Sequence, residues 1–178
     1  MTDHQTANLA IADLLIRPAC EADLPILEWE GEYTHFRRVY AEVFQRTQLG
    51  LALMWVVELP KVGIIGQAFV QFNARSAALA DGFRRAYVHS VRVRPAYRRQ
   101  GIASTLMRAL ENDLAQRGYQ QVTLNVVGTN KIAQEFYKNL GYRVIGKDPG
   151  QWSYYDDHNV LRRVNEPGWQ MLKDLDRV

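Results

Sequence analysis

The sequence predicts an α/β (α+β) fold: one mixed β-sheet flanked by helices, with elements in the order β-α-α-β-β-β-α-β-α-β-β. Three apolar, β-branched runs follow one another in the middle of the chain, and consecutive strands favour antiparallel pairing. A strand, a helix and a second strand then fill residues 87–127, an order that requires a right-handed parallel crossover. The length of 178 residues and the hydrophobic content of 47% fit a single domain, which we place at residues 13–178.

The N-terminal half supplies a strand, two helices and three more strands. "DLLIRP", from Asp13, predicts a short strand that ends at Pro18. "CEADLPILEWE" and "YTHFRRVYAEVFQRTQ" place apolar residues at helical intervals and predict two helices, the second followed by Gly50. "LMWVVEL" and "VGIIGQAFVQFN", separated by Pro60 and Lys61, predict a β-hairpin. "AYVHSVRVR" predicts the third strand of this series.

The C-terminal half alternates helices and strands. After Gly101, apolar side chains recur every four residues and predict a helix that ends at Gly118. "QVTLNVV" predicts a strand with Asn125 on the face opposite its apolar residues. In "KIAQEFYKNL", a short helix, Ala133 and Tyr137 share one face. We expect the core-facing stripe of this helix to be formed by Ile132, Phe136 and Leu140. "YRVIGK" and, after a loop, "GWQMLKDL" predict the last two strands.

Composition indicates where the protein works. The chain has one cysteine, Cys20, which excludes an internal disulfide and fits a reducing compartment. Its first residues lack the basic start and unbroken apolar stretch of a secretory signal, because Asp13 interrupts them, and "LGLALMWVV" is too short to span a bilayer. We expect a cytoplasmic protein with no membrane partner and a flexible tail at residues 1–12.

The stretch "VRVRPAYRRQGIAS" suggests an anion site in front of a helix. The first amides of a helix have no intrahelical partners, and the helix dipole favours an anion such as a diphosphate there. Gly101 lets the backbone approach a bulky ligand, while Arg98 and Arg99 orient it. Neither the P-loop pattern nor the dinucleotide G-x-G-x-x-G pattern is present. The same arginines could instead form a basic patch at residues 92–99 that binds nucleic acid.

Two motifs resemble those of the GNAT N-acetyltransferase superfamily. "RRQGIA", Arg98 to Ala103, resembles its Q/R-x-x-G-x-G/A pyrophosphate loop. "NKIAQEFYKNLGY" resembles its N-x-x-A-x-x-F-Y-x-x-x-G-F/Y segment, and the order of elements agrees from Leu14 to Leu175. The resemblance implies a GNAT-like fold and an N-acetyltransferase that uses acetyl-CoA as co-substrate and no metal. His4, His35, His89 and His158 show no metal-ligand spacing.

The resemblance also implies where acetyl-CoA binds: an opening between the strand at residues 87–94 and the strand at residues 121–127. The backbone of Val91 and Val93 would pair with the pantetheine arm and stabilise an oxyanion. The turn residues would hold the diphosphate. The implied cofactor contacts are Val91, Val93, Arg98, Arg99, Gln100, Gly101, Ile102, Ala103, Ser104, Asn125, Asn130, Ala133 and Tyr137.

The chemistry needs an acid and a base. An aliphatic amine has a pKa near 10.4, so only about one molecule in a thousand is the neutral nucleophile at neutral pH. We expect direct attack in a ternary complex, with Tyr137 as the acid that protonates the leaving thiolate. His89, with an ordinary pKa near 6.5, is the candidate base. In a regular strand, Tyr87, His89, Val91 and Val93 would share one face. A strand bulge would change that face, and a glutamate or a chain of waters could replace the histidine.

The resemblance implies that the acetyl acceptor is a small amine or a protein or peptide amine. In the resembled fold it binds near "EWEGEYTHF" and "SYYDDHN", so the candidate contacts are Glu30, Tyr33 and Asp156. Their acidic groups suit a cationic amine, whether a polyamine, an aminoglycoside-like drug or a protein N-terminus. Two other functions stay open: a CoA-binding sensor without catalysis and, less favoured because the net charge is only +3, a nucleic-acid binder. A homodimer also stays open.

Overall fold

The computed structural model describes residues 13–176, so the tail predicted at residues 1–12 lies outside the described residues. Within this range, seven of nine strands form one sheet in the order β1-β2-β3-β4-β5-β9-β6, and β7 and β8 form a separate hairpin. The strands are β1 (Leu15–Pro18), β2 (Ala52–Leu59), β3 (Gly63–Gln71), β4 (Arg85–Val93), β5 (Gln121–Val127), β6 (Arg143–Asp148), β7 (Gln151–Tyr155), β8 (Leu161–Asn165) and β9 (Gly168–Asp174). The α-helices are α1 (Arg37–Gln48), α2 (Ile102–Gln116) and α3 (Lys131–Asn139).

The sheet is mixed, as predicted. Strands β1 to β4 pair antiparallel in sequence order, and β5, β9 and β6 form a second antiparallel group. Strand β4 joins the two groups by pairing parallel with β5, with α2 in the connection between them. The predicted hairpin of β2 and β3 and the predicted parallel crossover are therefore both confirmed.

Two apolar clusters lie on opposite faces of this sheet. The face covered by α2 and α3 is here called the α2 face. On it, the apolar residues that recur every four positions along α2 are fully buried in one cluster with Val88 and Val122; they are Ile102, Leu106, Leu110 and Leu114. On the other face, here called the α1 face, Tyr40 and Val43 of α1 pack against Met54 and Phe69. At about 25 cal/mol per Å² of apolar surface removed from water, these buried rows provide the main stabilisation of the three layers.

The first predicted helix is a 3-10 segment, Glu21–Gly31, and not an α-helix. Pro25 removes one backbone donor from it, and Trp29 and Glu30 both have left-handed backbone angles, with φ of 46° and 56°. The second predicted helix begins with a separate 3-10 turn, Thr34–Phe36, before α1 starts. The chain therefore kinks on the α1 face just where the acceptor residues were expected.

The sequence prediction missed the hairpin of β7 and β8. Its two strands are mostly exposed and pair only with each other, from Gln151 opposite Asn165 to Tyr155 opposite Leu161. They lack the buried, alternating apolar pattern on which strand prediction depends. The hairpin is held to the body by aromatic contacts of Trp152 and Tyr154 with Phe36, the last residue before α1.

The predicted core stripe of α3 was wrong at its first residue. Ile132 is 79% exposed, whereas Tyr137 is only 9% exposed and joins the cluster on the α2 face. Ala133, Phe136 and Leu140 pack against that cluster from its edge. The helix is thus rotated towards the face that carries Ala133 and Tyr137.

None of the helices in the described part of the chain combines the length and apolar character that crossing a bilayer requires.

Candidate active site

Strands β4 and β5 pair over a short distance and then separate. Their parallel register consists of Arg85 with Gln121, Ala86 with Val122 and Tyr87 with Thr123. Beyond these pairs, β4 continues to Val93 beside β3, and β5 continues to Val127 beside β9. The facing edges of both strands therefore have no strand partner there within residues 13–176. An extended ligand could add to such an edge through main-chain hydrogen bonds.

A β-bulge interrupts β4 at Ser90, which has a left-handed φ of 55°. The register passes from Phe69 opposite His89 to Gln67 opposite Arg92, so one residue of β3 faces two of β4. Val91 and Val93 consequently contact the cluster on the α2 face, while Arg92 lies on the α1 face with His89. The expectation that Tyr87, His89, Val91 and Val93 share one face was wrong, because the bulge inverts the alternation after His89.

The predicted diphosphate turn has the backbone of an anion site. Arg99 and Gly101 both have left-handed φ, at 61° and 79°. Helix α2 starts directly after them, and its first turn is closed by the Thr105 amide donating to the Gly101 carbonyl at 2.9 Å. The amides of Ile102 to Ser104 precede that bond and have no intrahelical partner. Alternating backbone hands with free amides form a concave anion-binding nest.

The arginines of the turn differ in their surroundings. Arg98 donates from Nε to the carbonyl oxygen of Val93 at 2.8 Å, which ties the turn to the end of β4. Arg99 and Gln100 are exposed, with the Gln100 amide 3.4 Å from the Ala96 carbonyl oxygen. The backbone amides of the turn are thus anchored to β4 through Arg98, and the charge of Arg99 is exposed beside them.

Tyr137 is buried beside Tyr142, with ring centroids 5.7 Å apart. Burial, with a smaller contribution from Tyr87, raises the pKa of its hydroxyl well above the usual value of 10. Burial likewise raises the pKa of Tyr87 to about 12, with a smaller contribution from Asp148. Tyr137 therefore carries its proton at neutral pH, as a general acid must.

The other predicted cofactor contacts have distinct positions. Asn130 caps α3, its side-chain oxygen accepting from the Ala133 amide at 3.0 Å. Asn125 lies on β5 two residues beyond the last pair with β4, and its side-chain oxygen is buried without a hydrogen-bond partner in the described structure. An unpaired buried acceptor costs about 1–3 kcal/mol, so this atom marks a place where a ligand donor would stabilise the protein.

His89 occupies the equivalent place on β4, two residues beyond the same last pair. Its ring lies against Tyr87 and Phe69, with centroids 5.6 and 5.8 Å away. Nδ1 is 3.0 Å from the Ser90 hydroxyl, and Nε2 is buried without a hydrogen-bond partner in the part of the chain described. Burial, followed by the charges of Arg92 and Arg46, lowers the pKa of His89 to about 4. The expected ordinary pKa near 6.5 was therefore wrong, and the ring is neutral at pH 7.

An aromatic cluster lines the α1 face next to His89. It links the segment before α1 to the hairpin, with Phe36 and Tyr154 centroids 4.9 Å apart. Its members are Tyr33, His35, Phe36, Tyr40, Trp152 and Tyr154. The guanidinium of Arg92 lies 4.1 Å from the ring centre of Tyr33 and donates to the Tyr40 hydroxyl at 2.8 Å. The predicted contact Tyr33 therefore stands in this cluster.

The two acidic acceptor candidates are already bound by arginines. Glu30 is exposed and accepts from both terminal nitrogens of Arg94, at 2.7 and 3.0 Å. Asp156 is 2% exposed and organises the turn of the hairpin, accepting from the amides of His158 and Val160 and from Arg162 Nε at 2.6 Å. Their role as acceptor contacts stays a prediction, and the geometry gives Asp156 a structural task.

Asp156, Asp157 and His158 bring three ligand atoms within 4.8 Å of one another, a juxtaposition that the spacing of the histidines did not suggest. Asp156 already uses both carboxylate oxygens in the hairpin turn, so the group has few atoms left for an ion. We make no metal proposal from it.

Sequence reasoning missed Arg92 and Trp152 as parts of the site, and it included Tyr154 only as a member of the segment "SYYDDHN". Arg92 was counted only in the basic patch, and in a regular strand it would have faced away from His89. A left-handed serine gives no sequence signal of the kind that glycine gives. The aromatic pair in "QWSYY" was the available signal for the hairpin.

Comparison with known proteins identifies the family of the chain. The family model described as the Acetyltransferase (GNAT) family matches residues 21–142. A thialysine N-epsilon-acetyltransferase of Sus scrofa is 31% identical over 81 residues, which are 46% of this chain and 48% of that protein. A ribosomal protein bS18 alanine N-acetyltransferase of Haemophilus ducreyi is 38% identical over 60 residues, 34% of this chain and 41% of that protein. The chain thus spans less than half the length of these curated relatives.

A solved structure extends the likeness to nearly the whole fold. The ribosomal-protein-S18-alanine N-acetyltransferase from Escherichia coli superposes with a TM-score of 0.68 at 18% identity, covering 93% of this chain and 96% of that chain. At that identity the likeness concerns the fold alone. Because the family model matches more than half of the sequence, the chain belongs to the Acetyltransferase (GNAT) family.

Proposed function

We propose that the protein transfers the acetyl group of acetyl-CoA to a primary amine by direct attack in a ternary complex. One observation carries the proposal. The opening between β4 and β5 has the left-handed turn at Arg99 and Gly101 beyond the end of β4. Where the strands part, His89 Nε2 and Asn125 Oδ1 are buried without a hydrogen-bond partner among residues 13–176. This arrangement suits a long ligand with an anionic end and a reactive end.

The residues of the turn fit the diphosphate of acetyl-CoA. The amides of Ile102 to Ser104 and the dipole of α2 favour a bound anion, and each hydrogen bond to a charged group contributes about 1.5–3 kcal/mol. Arg99 adds exposed charge that orients the ligand and contributes less. The unpaired edge of β4 between Val88 and Val93 would accept the amide-containing pantetheine arm.

Two groups would move protons. Tyr137, protonated at neutral pH because burial raises its pKa, would protonate the departing thiolate. His89 stays a candidate proton acceptor, but its pKa of about 4 makes it a weak base for an ammonium with a pKa near 10.4. A neutral His89 can instead relay a proton to water or hold the neutral amine by a hydrogen bond. We favour these assisting roles of neutral His89 over direct deprotonation of an ammonium group.

The alternative functions receive less support. A CoA sensor would not need the tyrosine that lies at the predicted position of the acid. The nucleic-acid alternative needs an exposed patch at residues 92–99, yet Arg92 is stacked in the aromatic cluster, and Arg94 and Arg98 are held by Glu30 and by the Val93 carbonyl. Only part of the patch is left to meet a phosphate backbone.

Calorimetry with acetyl-CoA and a thioester-cleavage assay test the proposal together. The amine panel includes thialysine, a peptide with N-terminal alanine, spermidine and free amino acids. We expect acetyl-CoA to bind and at least one amine to release CoA faster than water does. Absence of acetyl-CoA binding would reject the proposal, and binding without any amine-dependent release would favour the sensor.

The proton-acceptor role of His89 needs its own comparison. His89→Ala should lower turnover more than it lowers acetyl-CoA affinity, and raising the pH should restore part of the rate by supplying free amine. Turnover and a pH profile equal to those of the unchanged protein would assign His89 to packing.

A further inference from the structure

The strongest unexplained feature of the α1 face is the guanidinium of Arg92. It lies 4.1 Å from the ring centre of Tyr33 and 5.1 Å from that of Phe36, so it is within cation–π distance of both rings. It donates to one protein acceptor, the Tyr40 hydroxyl at 2.8 Å. A guanidinium has five N–H donors, so most of its donors are left for solvent or a ligand.

Arg92 differs from its neighbours in having no carboxylate partner within residues 13–176. Around it, the carboxylates are matched to other arginines: Glu30 to Arg94, Glu28 to Arg37, and Asp156 to Arg162. Burial, followed by a hydrogen bond with Glu32, raises the pKa of Tyr33, and Glu32 forms no ion pair with Arg92 in the described structure. The aromatic cluster therefore surrounds a positive charge that the described protein does not neutralise.

A second guanidinium adds to this charge. Arg46 donates to the Asn73 side chain at 2.7 Å and likewise has no carboxylate partner in the described residues. Both arginines act on His89, since their charges help to lower its pKa. The potential where an acceptor would meet His89 is therefore positive, which disfavours a polycation at this place.

The bulge at Ser90 is what brings Arg92 to the acceptor side. His89 precedes the bulge and Arg92 follows it, yet both lie on the α1 face. His89 Nε2 and Asn125 Oδ1, both buried and unpartnered in the described structure, stand where β4 and β5 part. One acceptor molecule could thus place its nitrogen near these two atoms and an anionic group near Arg92.

We infer that the acetyl acceptor is a primary amine that also carries a carboxylate, and that Arg92 binds this carboxylate. The inference rests on the proposed function and names the substrate class of the same site. A planar guanidinium that contacts two aromatic rings and donates to the Tyr40 hydroxyl is pre-organised for a bidentate pair with a carboxylate. The aromatic cluster would contact the apolar part of such a molecule.

Binding probes without an amine test the inference apart from catalysis. The probes are 3-phenylpropionate, its neutral amide and phenethylamine, titrated by calorimetry into the protein saturated with CoA. A hydrogen-bonded charge pair predicts that the carboxylate binds about tenfold or more tightly than the amide. Equal binding of the three probes, or a preference for the amine, would overturn the inference.

Variants assign the effect to Arg92. Arg92→Gln should remove the preference for the carboxylate while leaving the weak affinity for the amide, and Arg92→Lys should keep part of the preference. Arg143→Gln, which removes a positive charge from β6, is the matched control and should leave the preference intact. If Arg92→Gln weakens all probes equally, the residue only supports the cluster and the inference fails.

Turnover separates this inference from the proposed function. Phenylalanine is compared with phenylalaninamide, and a peptide starting with glutamate with its glutamine analogue. We expect kcat/KM to be about tenfold or more higher for the carboxylate member of each pair, a ratio that Arg92→Gln should abolish. Turnover without that ratio would reject the carboxylate while keeping the acetyltransferase. Failure of acetyl-CoA to bind would reject the proposed function itself, whatever the probes show.

Discussion

The two faces of the sheet differ in the chemical groups that form their candidate sites. On the side of the α2 turn, apart from the Tyr137 side chain, the candidate groups are mainly backbone amides and strand edges, from Arg99 to Ser104 and along β4. On the α1 face, they are side chains from distant parts of the chain, such as Arg92 with Tyr33 and Trp152 with Phe36. A backbone site can be kept by any sequence with the right turn, whereas a side-chain site changes with each substitution. The comparison suggests a fixed cofactor and a chain-specific acceptor.

The largest expected effect is a loss of acetyl-CoA affinity when the backbone of the α2 turn is disrupted. Gly101→Val places a β-branched residue at a φ of 79°, where L-residues are strained, so the turn must change its hand. Losing about three hydrogen bonds to the diphosphate, at about 1.5–3 kcal/mol each, weakens acetyl-CoA binding by about 10³-fold or more. Calorimetry measures the affinity.

Gly118→Val is the matched control for this change. Gly118 follows the other end of α2, has a φ of 90°, and has open space where a Cβ would stand. This variant should lose stability and keep acetyl-CoA affinity. If both variants bind acetyl-CoA like the unchanged protein, the turn is not the diphosphate site.

Removing one oxygen atom tests the catalytic end of the same opening. Tyr137→Phe keeps the buried ring against Tyr142 but removes the proton, so acetyl-CoA affinity should stay and turnover should fall by about 10²–10⁴-fold. Because the pKa of Tyr137 is raised, the unchanged protein should keep this acid function above pH 10. An undiminished rate with a competent acceptor would exclude Tyr137 as the acid.

The burial of His89 on the α1 face predicts that the free energy of unfolding depends on pH. The pKa of His89 is lowered to about 4, so as the pH falls below 6.5 the unfolded chain takes up the proton before the folded chain does. The stabilisation by neutral His89 is therefore present above pH 6.5 and is lost towards pH 4, by about 3 kcal/mol. Urea unfolding at pH 7, 5.5 and 4.5 measures this.

His89→Gln, which cannot titrate, isolates the histidine from the carboxylates that titrate in the same range. The variant should lose less stability on acidification than the unchanged protein does. Parallel stability curves for the two proteins would mean that His89 is solvated and that its pKa is ordinary.

The smallest expected effect concerns the hairpin. Asp156→Asn weakens the pairing with Arg162 and loosens the turn that carries Trp152 and Tyr154 towards α1. Losing about one hydrogen bond predicts a KM for the acceptor raised about two- to fivefold, with acetyl-CoA affinity unchanged. A much larger rise confined to cationic acceptors would instead make Asp156 a direct contact.

The sequence was most informative where structure follows local rules. The helix after Gly101 was predicted correctly because its apolar residues recur at one spacing and glycine marks the turn before it. The predicted α3 stripe was wrong at Ile132 because two faces of that helix carry apolar residues, and Ile132 is more apolar than Ala133 although it is exposed. Periodicity alone does not choose between such faces when tertiary contacts decide.

The parts that sequence could not predict depend on long-range contacts. No local sequence signal marks Ser90 as left-handed. The bulge there determines whether Arg92 or Val91 lies on the same face of the sheet as His89. The shift of the His89 pKa requires burial and two distant arginines. The candidate acceptor site was therefore predictable as a location and not as a chemistry.

The short seam between β4 and β5 has a mechanical consequence. Three residue pairs join a four-stranded block to a three-stranded block, so the two halves of the sheet share few main-chain hydrogen bonds. A molecule bound along the opening would contact both blocks and link them. Its binding energy would then count towards the cohesion of the sheet, and resistance to unfolding would rise with its concentration by mass action. If that molecule is the proposed acetyl-CoA, its concentration would set the stability of the fold as well as the rate of turnover.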